Sequence, residues 1–256
     1  NPIGYIMGKY GEDYIKIYKP SLQHIKLIRS MRLCRTPALG GKAYICKKCT
    51  ARHYVYHSCG QRHCSICQSV KREQWMDKMS KELLAVPYVH LITTMPHQLN
   101  FLARKYPKIM YNLIMRSTKA TVFHFSKDHM YLGATPGLVS VLHTWGSDLK
   151  YHVHVHSLMT FGGLDDKGKW HYPKHKTRLC KHKDFRDKFR DIFLKELKRE
   201  FAKQQITLNA QVLQTIEELQ KKTWSYFVTK PTLSTDNIER YLARYINKIA
   251  VGNSRL

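Results

Sequence analysis

Acidic residues are scarce in this chain of 256 residues. Only 18 Asp and Glu stand against 44 Lys and Arg, which gives a formal net charge of +26 at pH 7. So large an excess of one sign repels itself in a compact state, and a polyanionic partner would relieve that repulsion. Nucleic acid is the leading candidate for such a partner, and an anionic membrane is the alternative.

Long apolar segments are missing as well. The sequence has no run of about 18 apolar residues, so it predicts no membrane-spanning helix. No amphipathic stretch is long and cationic enough to predict an anchor on a membrane surface. The first residues, Asn1-Pro2-Ile3-Gly4-Tyr5, lack a basic segment followed by an apolar core, and we expect no secretory signal. These absences favour nucleic acid over a membrane as the partner.

Cysteine is concentrated near the N terminus, where six of the seven occur within the first 67 residues. The odd count and the C-x-x-C spacing favour metal binding in a reducing cytosol over disulfides. Two C-x-x-C pairs separated by 14 residues can present four thiolates tetrahedrally, which predicts a structural zinc site at Cys46, Cys49, Cys64 and Cys67. Four further residues have side chains that can bind zinc, and the sequence leaves undecided whether they form a second zinc site: His24, Cys34, Cys59 and His63.

Two domains are predicted. Residues 1–85 form a zinc-binding, DNA-contacting domain that ends in a helical connector, and residues 86–256 form a second domain. Its predicted elements are a strand, a helix, two paired strands, a helix, a strand and a helix, over residues 86–95, 99–130, 138–145, 151–161, 185–201, 224–229 and 235–250. This order lacks the rhythm of parallel β-α-β units, so we predict an α+β fold with helices packed on an antiparallel sheet.

A histidine-rich motif, Tyr151-His-Val-His-Val-His156, lies in the second strand of the predicted pair. Alternate strand residues project to the same face, so His154 and His156 can bind one cation, with His152 beside them. For phosphoryl chemistry, we expect that cation to be Mg²⁺ or Mn²⁺. The third ligand stays open, because His143 on the partner strand reaches the same face only in some registers.

Two tyrosines, Tyr241 and Tyr245, are four residues apart near the end of the chain. In a helix, both hydroxyls lie on one side and can reach one site. A cation would polarise a phosphate oxygen while a tyrosine hydroxyl attacks in line, which gives a 5′-phosphotyrosine bond and a free 3′-hydroxyl. A core-facing aromatic stripe is the alternative for this helix alone, and the histidine strand favours the active site.

Six segments together resemble a known family. They are Cys34-Arg-Thr-Pro-Ala-Leu-Gly40, Cys46-x-x-Cys49, Ser58-Cys-Gly-Gln-Arg-His-Cys-x-x-Cys67, Leu142-His-Thr-Trp-Gly146, His152-Val-His-Val-His156 and Tyr241-Leu-Ala-Arg-Tyr245. Through these segments, the chain from about His24 onward resembles the bacterial two-tyrosine rolling-circle transposases of the HUH nuclease superfamily. Within them, it resembles the insertion-sequence branch that carries an N-terminal zinc-binding domain.

The resemblance implies a ferredoxin-like HUH nuclease sheet and a bacterial cytoplasmic protein associated with the nucleoid. It also implies cleavage and rejoining of single-stranded DNA at transposon ends and transfer to target DNA. In this scheme, Tyr241 and Tyr245 are the nucleophiles, His154 and His156 bind the catalytic metal, and the clustered cysteines bind zinc. We further expect a C-terminal segment beyond the tyrosine helix in the natural protein.

Three positions depart from the family pattern. Val153 stands where proline is common, and Asn247 where histidine is common, and neither departure touches the expected chemistry. Lys42 stands where a histidine often follows the glycine pair, which weakens a second zinc site built on that position.

Three other functions are compatible with parts of the pattern. A rolling-circle replication initiator shares the chemistry, and the zinc module favours transposition over it. A zinc-dependent DNA-binding regulator would use the histidines and tyrosines only for structure. A metallohydrolase built on the H-x-H motif would need more ligands at strand ends and would not explain the paired tyrosines.

Overall fold

The computed structural model describes residues 2–233 of the chain, and these form two compact units, residues 2–82 and 83–233. The predicted tyrosine helix, with Tyr241 and Tyr245, lies outside the described residues. The assignment of a zinc-binding domain to residues 1–85 and of a nuclease domain to residues 86–256 stays a prediction. None of the helices within residues 2–233 is both long and apolar enough to cross a membrane.

The first unit contains three helices and one two-stranded ribbon. In chain order they are α1 (Pro2–Tyr18), α2 (Leu22–Arg32), β1 (Gly41–Ile45), β2 (Arg52–Tyr56) and α3 (Ser65–Ser80). Residues 22–33 have the spacing of a short helix that leads into Cys34, and this prediction is confirmed as α2. The helical connector is predicted over residues 69–84; α3 begins four residues earlier, at the second C-x-x-C pair.

Helix α1 was not predicted, because glycines at positions 4, 8 and 11 interrupt its apolar pattern and glycine disfavours a helix interior. Contact with α2 explains why it forms. A Cβ at Gly11 would come within 2.6 Å of Ile28 Cγ2, so the absence of a side chain lets the two helices approach closely. Glu12 adds ion pairs to Arg29 at 3.0 Å and Arg32 at 3.2 Å.

The second unit has an antiparallel sheet with helices on it. Its main elements in chain order are β3 (Tyr88–Thr94), α4 (Asn100–Lys105), α5 (Pro107–Lys127), β4 (Leu138–Trp145), β5 (Tyr151–Thr160), the short β6 (Gly163–Leu164) and β7 (Trp170–His171), α6 (His182–Lys203), α7 (Ala210–Lys221) and β8 (Tyr226–Val228). The four-stranded sheet has the order β4-β5-β3-β8. Ignoring the β6–β7 pair, this is a strand-helix-strand-strand-helix-strand unit with ferredoxin-like strand order. The predicted α+β class is confirmed.

The two faces of the sheet differ in what they carry. Val153 and Val155 of β5 are fully buried in one core with Leu91 of β3 and with Phe189 and Phe193 of α6. The alternate residues of β5, His154 and His156, project from the opposite face. The helices therefore stabilise the sheet from one side and leave the histidines on the other.

The helix predicted over residues 99–130, with a restart at Pro107, forms as α4 and α5. The backbone leaves the helical region at Tyr106, and Pro107 begins α5 as expected for proline in the first turn. Helix α7 was not predicted, although Asn209 caps it by accepting a hydrogen bond from the Val212 backbone N–H at 2.9 Å.

Candidate active site and zinc site

Three imidazoles meet on the face of the sheet opposite the core that contains Val153 and Val155. His143 of β4 lies opposite His154 of β5 in the strand register, and His156 follows two residues later on the same face. One ring nitrogen from each residue lies within 4.8 Å of those from the other two. All three side chains are buried, with exposed fractions of 4%, 8% and 8%. The register that the sequence left open thus brings His143 into the group.

Neighbouring groups orient the rings of the histidine pair. His154 Nε2 and His156 Nε2 are 3.0 Å apart. The other nitrogen of each ring has its own partner: His154 Nδ1 lies 3.0 Å from the His152 carbonyl oxygen, and His156 Nδ1 lies 3.0 Å from His90 Nε2. Hydrogen bonds of this kind fix the tautomer and the ring plane of a metal-binding histidine. Both Nε2 atoms therefore point toward one position.

His90 is a residue of this site that the sequence did not single out. It lies on β3, and its ring stacks on that of His156 with 5.2 Å between centroids and 8° between planes. Burial lowers the pKa of His90 to about 3, so the ring is neutral at physiological pH. A neutral His90 can accept a hydrogen bond from His156 Nδ1–H.

The three imidazoles form a donor set that fits a divalent transition-metal ion. Ring nitrogens bound to one such ion at about 2.1 Å lie roughly 3.0 to 3.4 Å apart, depending on geometry. The 3.0 Å between His154 Nε2 and His156 Nε2 agrees with that spacing. Magnesium prefers oxygen ligands, so of the two cations predicted the donor set favours Mn²⁺.

Four cysteines form a second cluster in the first unit. Cys34 follows α2, Cys59 follows β2, and Cys64 and Cys67 lie at the start of α3. The Sγ atoms are 3.5 Å apart for Cys34 and Cys64, 3.7 Å for Cys34 and Cys67, and 3.8 Å for Cys59 and Cys67. Four thiolates at about 2.3 Å from a tetrahedral zinc ion lie about 3.8 Å from one another, so the cluster fits zinc.

The composition of this cluster differs from the predicted one. Only Cys64 and Cys67 of the predicted four belong to it, and Cys34 and Cys59 from the second predicted set complete it. Cys46 and Cys49 are exposed in the turn between β1 and β2. Spacing along the chain did not reveal this difference, because the strands before and after the first C-x-x-C pair form a ribbon that carries this pair at its tip. The structure therefore groups the cysteines differently from the prediction, and which of them bind zinc stays a prediction.

The other predicted zinc ligands also lie outside the four-cysteine cluster. His24 is on α2, where it lines an apolar groove of about 400 Å³ with residues of α1. His63 precedes Cys64, and burial, aided by the charges of Arg62 and His24, lowers its pKa. Their roles as ligands stay a prediction.

The thiol pKa values in the four-cysteine cluster shift in both directions, and hydrogen bonds with Cys34 and Cys64 lower that of Cys67 despite its burial. Burial raises the pKa of Cys59 and of Cys64, so these thiols hold their protons more strongly than free cysteine. Zinc would supply the positive charge that stabilises the thiolates. At the ribbon tip the pKa of Cys46 is instead lowered, first by the backbone N–H groups of Cys49 and Lys48.

Comparisons with known proteins match both parts of the chain to transposases. The family model described as "Transposase zinc-binding domain" matches residues 6–95, and the one described as "Putative transposase" matches residues 137–256. The "Putative transposase y4qJ" of Sinorhizobium fredii is 31% identical over 98% of this chain and 66% of its own length. The "Transposase for insertion sequence element IS801" of Pseudomonas savastanoi pv. phaseolicola is 28% identical over 91% of this chain and 57% of its own length.

The chain thus spans less than two thirds of the length of these two relatives. No solved structure matches it significantly. The two family models follow one another along the chain and together include the four-cysteine cluster and the three imidazoles. The chain belongs to the IS91-type insertion-sequence transposases, in which a zinc-binding domain precedes the transposase domain.

Proposed function

We propose that this chain cleaves and rejoins single-stranded DNA at transposon ends through a covalent 5′-phosphotyrosine intermediate. The observation that carries the proposal is the buried cluster of His143, His154 and His156 on one face of the sheet. The chain belongs to a transposase family, which makes DNA the natural substrate for such a site. The protein would act in the bacterial cytoplasm, at the nucleoid.

His143, His154 and His156 would hold the catalytic Mn²⁺ or Mg²⁺. Such an ion withdraws electron density from a phosphate oxygen and makes the phosphorus a better electrophile. The protein's own contribution is orientation. His90 and the His152 carbonyl fix the two rings of β5, so the site needs little rearrangement when DNA arrives.

Tyr241 and Tyr245 would supply the nucleophiles. The tyrosine oxygen forms a bond to phosphorus as the bond from phosphorus to the 3′ oxygen breaks, and the tyrosine loses its proton while the 3′ oxygen gains one. The number of phosphate ester bonds is unchanged, so a free 3′-hydroxyl can reverse the step and join a new strand. A second tyrosine would allow two strand ends to be held in turn.

The four-cysteine cluster would hold a structural zinc ion. All four positions of a tetrahedral zinc are taken by Cys34, Cys59, Cys64 and Cys67, which leaves none for substrate. The zinc would therefore stabilise the first unit and leave the chemistry to the second.

Incubation of the protein with an end-labelled single-stranded oligonucleotide and Mn²⁺ tests the proposal. We expect a protein–DNA adduct that survives denaturation, and mass spectrometry of its peptides should locate the modified residue. The double variant Tyr241→Phe/Tyr245→Phe should form no adduct, because phenylalanine has no hydroxyl to attack phosphorus. The variant His154→Ala should reduce its formation strongly.

Tyr172→Phe is the matched control, because Tyr172 is an exposed tyrosine of the second unit. It should leave adduct formation unchanged. An adduct that persists in the double variant would refute the assignment of the nucleophiles. Tight, salt-sensitive DNA binding without cleavage in either Mn²⁺ or Mg²⁺ would support a DNA-binding regulator instead.

A further inference from the structure

The β1–β2 ribbon of the first unit is unusual in its exposure. All five residues of β1 and four of the five in β2 are exposed, and both strands pair only with each other within the described residues. Large side chains are included, since Tyr44 is 55% exposed and Tyr54 is 52% exposed. Both faces and the tip of the ribbon are thus accessible in the described structure.

The charge around the ribbon has a single sign. Residues 14–72 contain 13 Lys and Arg and no Asp or Glu. Lys42 and Arg52 lie on the two strands, and Lys47 and Lys48 lie in the turn between them, all with exposed side chains. These cations have no carboxylate on the ribbon to neutralise them, so they are available to a polyanion.

Among residues 2–233, the hydrogen bonds from the rest of the first unit to the ribbon lie at its base. The Arg35 backbone N–H donates to the His57 carbonyl oxygen at 3.2 Å, and the His57 N–H donates to the Gly40 carbonyl oxygen at 3.0 Å. The Arg35 guanidinium donates to the Tyr56 carbonyl oxygen at 3.3 Å. A two-stranded ribbon without a covering layer is only marginally stable in water. The part of the ribbon beyond this base therefore gains little stability from the rest of the first unit. A partner that covers it would explain its retention.

We propose that the β1–β2 ribbon inserts into the major groove of duplex DNA, with Lys42, Lys47, Lys48 and Arg52 on the phosphates and groove edges. A major groove about 12 Å wide admits a two-stranded ribbon, whose strands lie about 4.8 Å apart. Insertion uses both faces and the tip, which are the surfaces exposed here. A second copy of this ribbon would bring like charges together and is disfavoured as the occupant.

The choice of DNA as the occupant rests on the proposed function, whereas the place of contact rests on the exposure and charge of the ribbon. The contact is separate from the histidine site, since it lies on the first unit. Through this contact, the first unit would bind a duplex segment while the second unit acts on a single strand.

Fluorescence anisotropy of the full chain with a labelled duplex and with a single strand of the same length tests the proposal. Lys47→Ala/Lys48→Ala should weaken duplex binding by about tenfold or more at 0.15 M salt and lower the salt slope by about 2. Lys42→Ala/Arg52→Ala should act in the same direction. Unchanged zinc content would show that neither variant disrupts the first unit.

The matched control is Lys167→Ala/Lys169→Ala, two exposed lysines in the turn between β6 and β7, where Asp165 and Asp166 lie beside them. It removes the same charge and should weaken duplex binding far less. The ribbon assignment would be overturned if the ribbon variants and the control variant lost duplex affinity equally. It would also be overturned if the ribbon variants lost affinity for single strands alone. Failure of the unmodified protein to bind either DNA would instead refute the proposed function.

Discussion

At the scale of single residues, His90 shows how much a metal site depends on groups that do not bind the metal. It lies 3.0 Å from His156 Nδ1 and is 6% exposed. Its removal leaves that nitrogen without this partner and frees the His156 ring to turn. Loss of such a partner typically weakens metal binding about 10-fold to 100-fold. We therefore expect His90→Ala to lower Mn²⁺ affinity by that factor in isothermal titration calorimetry.

The conservative variant His90→Gln, which keeps a hydrogen-bonding group, should recover part of the affinity. His97→Ala provides the control, since His97 is an exposed histidine of the same unit. An affinity unchanged by His90→Ala, with an unchanged melting temperature, would mean that His90 only fills space.

The histidine site could be predicted in part from the sequence. Alternation along a strand places His154 and His156 on one face without any knowledge of the fold. Alternation says nothing of which residue on a neighbouring strand lies beside them, so His143 stayed open and His90, 66 residues before His156, was not found. Only the register of three strands brings these four rings together.

At the scale of elements, helix α6 provides much of the core of the second unit. The spacing of apolar residues over 185–201 predicts one buried helix face, and it is confirmed, because Phe185, Phe189, Phe193, Leu197 and Phe201 are all buried. Phe193 also packs edge-on against Trp224, with 5.4 Å between ring centroids. Truncation of a buried phenylalanine costs about 3–5 kcal/mol, so Phe193→Ala should lower the free energy of unfolding by that amount.

Urea unfolding followed by tryptophan fluorescence would measure the change. Leu213→Ala on α7 is the comparison, because Leu213 is 40% exposed and its truncation should cost about 0.5 kcal/mol or less. Similar losses for both variants would contradict the assignment of Phe193 to the core.

The cysteines of the four-cysteine cluster come from the end of α2, the loop after β2 and the start of α3. We expect one tightly bound zinc ion there, so Cys34→Ser or Cys59→Ser should remove it and destabilise the first unit. Cys46→Ser/Cys49→Ser should leave that ion in place. Metal analysis of the purified proteins, with circular dichroism before and after chelation, measures both effects.

Retention of zinc in Cys34→Ser together with its loss in Cys46→Ser/Cys49→Ser would restore the grouping predicted from spacing. Spacing offers no reason to prefer Cys34 and Cys59, because the fold of the first unit, and not their distance along the chain, brings these cysteines beside Cys64 and Cys67. Helix α1 was missed because its glycines argue against a helix. The ribbon was missed because its short, exposed strands bury no apolar face.

At the scale of the whole molecule, we expect the net charge of +26 to dominate the proposed binding to DNA. Each phosphate that the protein neutralises releases counterions, so binding weakens as salt increases. If the chain contacts 6 to 10 phosphates, duplex affinity should fall by about three to five orders of magnitude between 50 and 200 mM salt. Anisotropy titrations across that range would measure the slope, and a slope near zero would argue against electrostatic binding.

The position of β5 inside its sheet has a consequence for how the molecule moves. β5 has β3 on one side and β4 on the other, so the backbone amides around His154 and His156 lie in hydrogen-bonded ladders. Such amides exchange with deuterium only when the sheet opens, whereas those on the outer edges of the β1–β2 ribbon exchange quickly. The proposed metal ligands of β5 would thus lie in a rigid part of the second unit, and the surface proposed to enter DNA in a part that can adjust its shape.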